Sequence, residues 1–371
     1  MRNAGRDDVD IVALTRALVD IDSTTGREGA VGRWLAGYLR GRGFAVTEQP
    51  VDGTRINVIA ASADVAQPPS PGFGEPRRSS PGSGASGGGG FSSAIVFSTH
   101  LDCVPPFFPS RVDGDRLHGR GACDAKGILA AQVAAADRLR REGESRVGVL
   151  FVVGEERGSD GARLANAAAN GCRFLVDGEP TDNRLGLATR GILRIKLKAT
   201  GRAAHSSYPE LGESAIDTLI DTLVGLRSIE LPSDPLLGPT HYSIGLISGG
   251  VAPNVVSPSA EAEVMFRTVT DAADVRRAIA AIESRVAIEH VIDVPPVRLT
   301  TVPGFDAAVF PYTTDIPFLP AWGEPLLFGP GSIHEAHTAD ESVSIGELTA
   351  AADHYVTIAR ELLRRIDGPL A

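Results

Sequence analysis

Residues Val147 to Val153 read VGVLFVV, an apolar run with no charged or hydrogen-bonding side chain in it. A strand half-exposed to water alternates apolar and polar residues, whereas one buried on both faces of a parallel sheet does not. The run therefore predicts a central strand. Upstream lies an alanine-rich segment, Ile128 to Arg141, with helical patterning, and before it another apolar run, SAIVFS, Ser93 to Ser98. Strand, helix and strand in that order form a βαβ-type unit. Helical patterning at Val9 to Asp20 and Arg27 to Arg40, followed by GFAVTEQP and INVIAAS, gives the chain an α/β beginning.

Beyond Gly191 the texture changes. ILRIKLKATG alternates, followed by a helix at Ser214 to Leu226, the strands HYSIGLISGG and AEAEVMFRTV, and a helix expected over Ala272 to Ala287. Alternating strands mixed with helices suggest an α+β module. The expected fold is thus α/β: a mixed, mostly parallel sheet flanked by helices, carrying an inserted α+β module. The boundaries read from the sequence are 1–188 for the first part of the main domain, 189–294 for the insertion and 295–371 for the return, which ends in a helix at Ile345 to Arg364. A stretch rich in Gly, Ser and Pro, 67–93, reads as a loop between strands, because so few apolar groups cannot offset the entropy of ordering. Its four consecutive glycines are not followed by a helix opening on Lys-Ser/Thr, so they are not read as a phosphate-binding loop.

With 371 residues, a net charge of −10 and no dense Lys/Arg cluster, the chain is expected to bind neither nucleic acid nor an anionic membrane. No apolar run is long enough to span a bilayer. The N-terminus lacks the apolar core and cleavage site of a secretory signal. Cys103, Cys123 and Cys172 are odd in number and far apart, as expected for reduced thiols in the cytoplasm.

Ligands of open α/β sheets gather outside the carboxyl ends of the strands. There the sequence puts His100 and Asp102 (STHLDCVP), Asp124 (GRGACDAKG), Glu155 and Glu156 (GEERGSDG), Asp177 and Glu179 (DGEPT), and His334, His337 and Glu341 (GPGSIHEAHTADES). Imidazoles and carboxylates from separate segments are what paired divalent metals require. Tandem glutamates repel each other unless a cation neutralises one, and their side chains diverge, so one can bind metal while the other faces substrate. Asp102, two residues from His100, shares its strand face and can accept the second imidazole N–H.

These five segments, with GRAAHSSYPELGESAI as a sixth, resemble in order and spacing the di-zinc hydrolase family of acetylornithine deacetylase, succinyl-diaminopimelate desuccinylase, aminoacylase and glutamate carboxypeptidase. The resemblance covers nearly the whole chain outside the Gly/Ser/Pro stretch. It implies one zinc on His100, Asp124 and Glu179, a second on Asp124, Glu156 and His337, and Glu155 as general base to a metal-activated water. It also implies that His205 donates to the oxyanion, reaching across from the partner subunit in dimeric relatives. Arg267 and Asn254 would grip a substrate carboxylate, with backbone N–H groups of GPGS, Gly331 among them. The inserted module would be a lid and dimerisation domain of a homodimer. Mixed N/O sites also accept cobalt or manganese.

The activity expected from the resemblance is hydrolysis of the amide of an N-acyl amino acid, as in acetylornithine deacetylase, with a dipeptidase or carboxypeptidase using the same site as the alternative. A silent metal- or amino-acid-binding protein is the reading from another class, and Glu155 beside Glu156 speaks against it. Cys103, Cys123, His118 and His334 are read as non-ligands, and Asp340 and Glu341 as residues behind the ligands.

Overall fold

The structure is a computed structural model that describes residues 8–63, 93–169, 171–282 and 285–368. The stretch read as a loop at 67–93 lies, apart from Ser93, outside them. The chain forms two compact units. One comprises Met1–Leu185, Thr301–Asp306 and Phe318–Ala371, and the other Gly186–Thr300 and Ala307–Pro317.

The first unit is built on a six-stranded sheet. Its spatial order is Phe44–Pro50, Ile56–Ser62, Val147–Val152, Ile95–His100, Phe174–Asp177 and Glu324–Leu327. The last four run parallel, and the first two are antiparallel additions at one edge. Both faces are buried, which explains the unbroken apolar runs. Ile95, Phe97, Val147, Val149 and Phe151 point into a core shared with helices Lys126–Arg141 and Ile345–Asp367. Val96, Leu150, Val152 and Leu175 point the other way, onto Ala162, Ala165, Leu319 and Trp322. Full burial of each large apolar side chain stabilises by about 1.5–3 kcal/mol. The buried Trp322 indole N–H donates to the Ala165 carbonyl at 3.1 Å, which satisfies the polar atom of that side chain. The final helix starts on a Ser344 cap, whose hydroxyl accepts the Glu347 N–H at 3.2 Å.

The second unit contains a four-stranded antiparallel sheet in the order His241–Gly249, Ser259–Thr268, Gly191–Thr200 and Ala287–Val294. Leu193, Ile195, Leu197, Ala262, Val264 and Phe266 bury one sheet face against helices Ala215–Leu226 and Ala272–Ile279. The latter helix is shorter than its sequence reading. It ends at Ile279 and passes through a 3-10 turn, and Ala287–Val294 is an edge strand paired with Gly191–Thr200. The strand is mostly exposed, so its burial leaves little period-2 pattern in AIEHVIDV. Near the end of the second unit, Ala307–Phe310 joins Leu185–Thr189 as a neighbour in a small sheet. No helix among the described residues is long and apolar enough to cross a membrane.

Candidate metal centre

The parallel register of the first unit brings the acidic and imidazole groups together. His100 ends its strand opposite Val152, so the turn carrying Glu155 and Glu156 leaves the adjacent strand at the same level. On the other side Ser98 faces Asp177, and its carbonyl accepts the Gly178 N–H at 2.7 Å, which sets Glu179 just beyond the strand end. Asp124 stands two residues before helix Lys126–Arg141, and His337 lies in the loop after Glu324–Leu327. The His337 backbone is left-handed, with φ of 62°, a conformation uncommon outside glycine and concentrated at functional positions.

Asp124 is the hub. Its Oδ1 lies 2.9 Å from His100 Nε2, and its Oδ2 lies 3.3 Å from His337 Nε2. His337 Nε2 is also 2.9 Å from Glu156 Oε1. Two sets of ligand atoms result, one from His100, Asp124 and Glu179 and the other from Asp124, Glu156 and His337. Within each set the atoms lie within 4.8 Å of one another. The His100 Nδ1 is 3.0 Å from the Asp102 backbone carbonyl, which can only accept, so Nδ1 carries a proton and Nε2 is the ring nitrogen turned towards the site.

The electrostatics fit cations. Burial, then the charges of Asp124 and Glu155, push the Glu179 carboxyl well above the usual carboxylate range. Hydrogen bonds with Asp124 and Glu156 push His337 up to about 10. Burial lowers the His100 pKa, but hydrogen bonds with Asp102 and Asp124 outweigh it and hold the imidazole well above its ordinary value. The same histidines hold Asp124 below the usual range against the effect of its burial. Three carboxylates and two imidazoles in so small a volume are a mixed N/O donor set for divalent metal, and protons take the cations' place when none is bound.

Behind the ligands, Asp102 does more than aim His100. Its Oδ1 lies 3.5 Å from His100 Nδ1 and accepts the N–H groups of Gly154 at 3.0 Å and Glu155 at 3.1 Å. Its Oδ2 accepts the Glu156 N–H at 3.2 Å and the Thr25 hydroxyl at 2.9 Å. Glu341 plays the equivalent part for Asp124. Its Oε1 accepts the N–H groups of Gly121, Cys123 and Asp124 at 3.0–3.1 Å, and its Oε2 accepts from Arg120 at 2.7 Å. Arg120 is a residue the sequence reading passed over. It sits inside GRGACD and is fully buried, but a buried arginine has no local sequence signature.

The remaining positions belong to neither ligand set. Cys103 and Cys123 are buried free thiols in neither ligand set; Cys123 faces the Ser332 carbonyl at 3.4 Å. His118 Nδ1 lies 3.0 Å from Asp340, and His334 is exposed outside both sets. In the GPGS loop the Gly329 N–H donates to the Thr181 hydroxyl at 2.9 Å. Gly331 has φ of 79°, and a Cβ there would meet Cys123 Sγ at 2.6 Å, which accounts for glycine at this position. In the second unit the segments of His205 and Asn254 are neighbours: His205 bridges to Val255, and the Ser206 N–H donates to the Asn254 carbonyl at 3.0 Å. Arg267 is half-buried on Ser259–Thr268, opposite His241.

Residues 96–361 match the family model described as peptidase family M20/M25/M40. A peptidase M20 domain-containing protein of Schizosaccharomyces pombe is 36% identical over 368 residues, covering 95% of this chain and 85% of that protein. A protein of Aspergillus terreus named probable carboxypeptidase is 37% identical over 393 residues, with 94% and 85% covered. Among solved structures, a dinuclear metal binding M20 peptidase of Bacillus subtilis superposes with a TM-score of 0.67 at 17% identity over 95% of this chain and 98% of that one, a likeness of fold. The chain belongs to peptidase family M20/M25/M40 and is a metallohydrolase of amide bonds.

Proposed function

We propose that the chain frees an amino acid from the acyl or peptidyl group attached to its nitrogen, acting as a carboxypeptidase with a two-metal centre. The observation that carries this reading is the splitting of the Asp124 carboxylate, one oxygen towards His100 and the other towards His337. That geometry suits a bridging ligand, with His100 and Glu179 on one ion and Glu156 and His337 on the other. Zinc is the proposed metal. When bound, the dications polarise the amide carbonyl and acidify the attacking water.

Glu155 then accepts that water's proton at its carboxylate and delivers it to the leaving amine. Asp102 holds the peptide carrying Glu155 in place through three N–H groups. His205 supports an oxyanion role by its tautomer: its Nδ1 accepts the Ser207 N–H at 3.1 Å, which leaves Nε2–H as the donor. Arg267, with Asn254, is assigned the carboxylate of the leaving amino acid, since a guanidinium holds a carboxylate through paired hydrogen bonds. A cytoplasmic homodimer through the second unit completes the proposal. Exposed Leu246 and Ile247 on its edge strand support the dimer, and three free thiols support the compartment.

A second reading, hydrolysis of N-acetyl or other N-acyl amino acids, is favoured by DGEPT and GPGSIHEAHTADE, whose texture is that of the acetylornithine deacetylase branch. One panel separates the two. Purified, zinc-loaded enzyme is offered N-acetyl-ornithine, N-acetyl-lysine, N-succinyl-diaminopimelate and a set of dipeptides. Turnover of the dipeptides at ten times or more the kcat/KM of the acyl amino acids supports the carboxypeptidase, and the reverse order supports the deacylase. Hydrolysis of none of them overturns both.

A further inference from the structure

The backbone ladder between strands Ile56–Ser62 and Val147–Val152 pairs Ala60 with Val149 and ends with Val58 opposite Phe151. Past that point a side chain takes over. Asn57 is fully buried; its Oδ1 accepts the Val153 N–H at 3.1 Å, and its Nδ2 donates to the Gly161 carbonyl at 2.9 Å. A backbone N–H can only donate and a carbonyl can only accept, so these partners fix which way the amide is turned. Its Nδ2 also donates to Gln49 Oε1 at 2.8 Å. Val153 and Gly161 flank the turn that carries Glu155 and Glu156, and the Gly161 N–H donates to the Val153 carbonyl at 3.1 Å. Asn57 thus spans the base of that turn.

The turn does not follow ordinary backbone preference. Gly154, Gly158 and Ser159 have φ of 80°, 132° and 59°, and Ser159 lacks the freedom of glycine. Such a conformation persists where the surroundings impose it. Asp102 takes the N–H groups of Gly154, Glu155 and Glu156. Three bonds near one end do not by themselves close the other. The base leaves no slack, since a Cβ on Gly161 would run into the Val153 carbonyl and stand 2.6 Å from Asn57 Oδ1.

We propose that Asn57 is a positioning residue for Glu155: by pinning both ends of the turn, its side-chain amide confines the Glu155 peptide to the one place where Asp102 holds it. The inference rests on the reading above, in which Glu155 is the general base. Asn57 touches no reacting atom and acts only through the turn.

Two substitutions open the base in different ways. Asn57→Leu keeps the shape and removes both bonds, and Gly161→Ala wedges the same contact with Asn57 in place, so either answers if the other does not fold. With the best substrate of the panel, each is expected to lower kcat at least tenfold, with KM within twofold and two zinc ions per chain retained. In a Glu155→Gln background the further loss should shrink below twofold, because a residue acting through Glu155 has nothing left to position. Gln49→Ala removes only the third bond of the amide and should keep kcat within twofold. Hydrogen exchange of residues 153–161 should quicken at least tenfold in both variants, with strand Ile95–His100 unchanged. A kcat within twofold of the parent, the same fold-loss in both backgrounds, or the loss of an ion overturns the proposal. If Glu155→Gln turns over as fast as the parent, or no substrate of the panel is cleaved, the reading of the reaction fails instead. The exchange experiment then decides whether Asn57 holds the turn, and unmoved exchange overturns that as well.

Discussion

The carboxylate of Asp102 accepts the backbone N–H of Glu155 at 3.1 Å, so one buried acid fixes the peptide of the residue proposed as general base. The same carboxylate takes the N–H groups of Gly154 and Glu156 and approaches His100. Two ligands and the base are therefore oriented by a single side chain that touches no reacting atom. Asp102→Asn retains the shape but replaces one acceptor oxygen with an NH2 that faces backbone N–H donors. Partners behind metal ligands typically matter by about 10–100-fold in affinity or activity. A fall of that size in kcat, with an unchanged circular dichroism spectrum, is the expected outcome. Activity within twofold of the parent would show that the turn holds itself in place.

Glu155 and Glu156 adjoin in sequence but should respond differently to the same substitution. The Glu156 carboxylate lies against a metal-set histidine, at 2.9 Å from His337 Nε2. Glu155→Gln should lower kcat by about 10²–10⁴, the usual contribution of a general base, and leave metal content at two ions per chain. Glu156→Gln should weaken one of the two ions, read as a biphasic loss during chelator titration. Equal metal content and equal residual activity in the two variants would contradict the division of labour.

How much of this was legible in the sequence depends on range. VGVLFVV and SAIVFS declared themselves because a strand covered on both faces must be apolar at every position, whichever face each residue takes. The ligand candidates were legible for a related reason: parallel strands in register deliver their carboxyl ends to one edge, so His100, Glu156 and Glu179 could be grouped without coordinates. Asp102's main partners were not, since its pairing with three backbone N–H groups more than 50 residues away leaves no trace in side-chain chemistry. Arg120 was missed for the same reason. GPGS was legible as a tight loop, with Gly331 at φ of 79°, because a glycine pattern reports backbone conformation and not the direction of the amides. The strand Ala287–Val294 was hidden by its exposure, which removes the alternation a strand reading relies on.

Arg120 and Glu341 form a buried ion pair that carries the Asp124 loop. Glu341 Oε1 collects the three N–H groups at the start of that loop, and the Arg120 guanidinium also donates to the Thr338 carbonyl at 3.0 Å, next to His337. Removing one partner leaves a buried charge unmatched, a change that costs about 3–5 kcal/mol. Arg120→Met should shift the urea midpoint downwards accordingly and reduce metal affinity with it. Arg116→Met provides the control, because the Arg116–Glu335 pair is partly exposed and such pairs contribute only about 0–1 kcal/mol. Equal midpoints for the two variants would remove Arg120 from the support of the site.

Metal binding should release protons, and the sign follows from the groups that hold them. In the metal-free site His337 is pushed up to about 10, with Asp124 and Glu156 as the cause, and His100 and Glu179 are raised as well. Each raised group binds more protons folded than unfolded, so the stability it contributes is present below its unfolded pKa and is lost as pH rises through the folded value. For His337 that window runs from about 6.5 to about 10. Asp124, lowered instead, contributes stability above its unfolded value of 3.8 and loses it as pH falls through its folded value. A dication needs neutral imidazoles and ionised carboxylates, and it must displace the protons on His100, His337 and Glu179. Calorimetric titration of metal-free protein with zinc, in buffers of different ionisation enthalpy, should therefore report net proton release at pH 7. Affinity should strengthen from pH 6 to pH 8, and chelation should destabilise the protein more at pH 8 than at pH 6. Proton uptake, or an affinity that does not move with pH, would mean that these imidazoles are already neutral and that the site is not held together by protons when metal is absent.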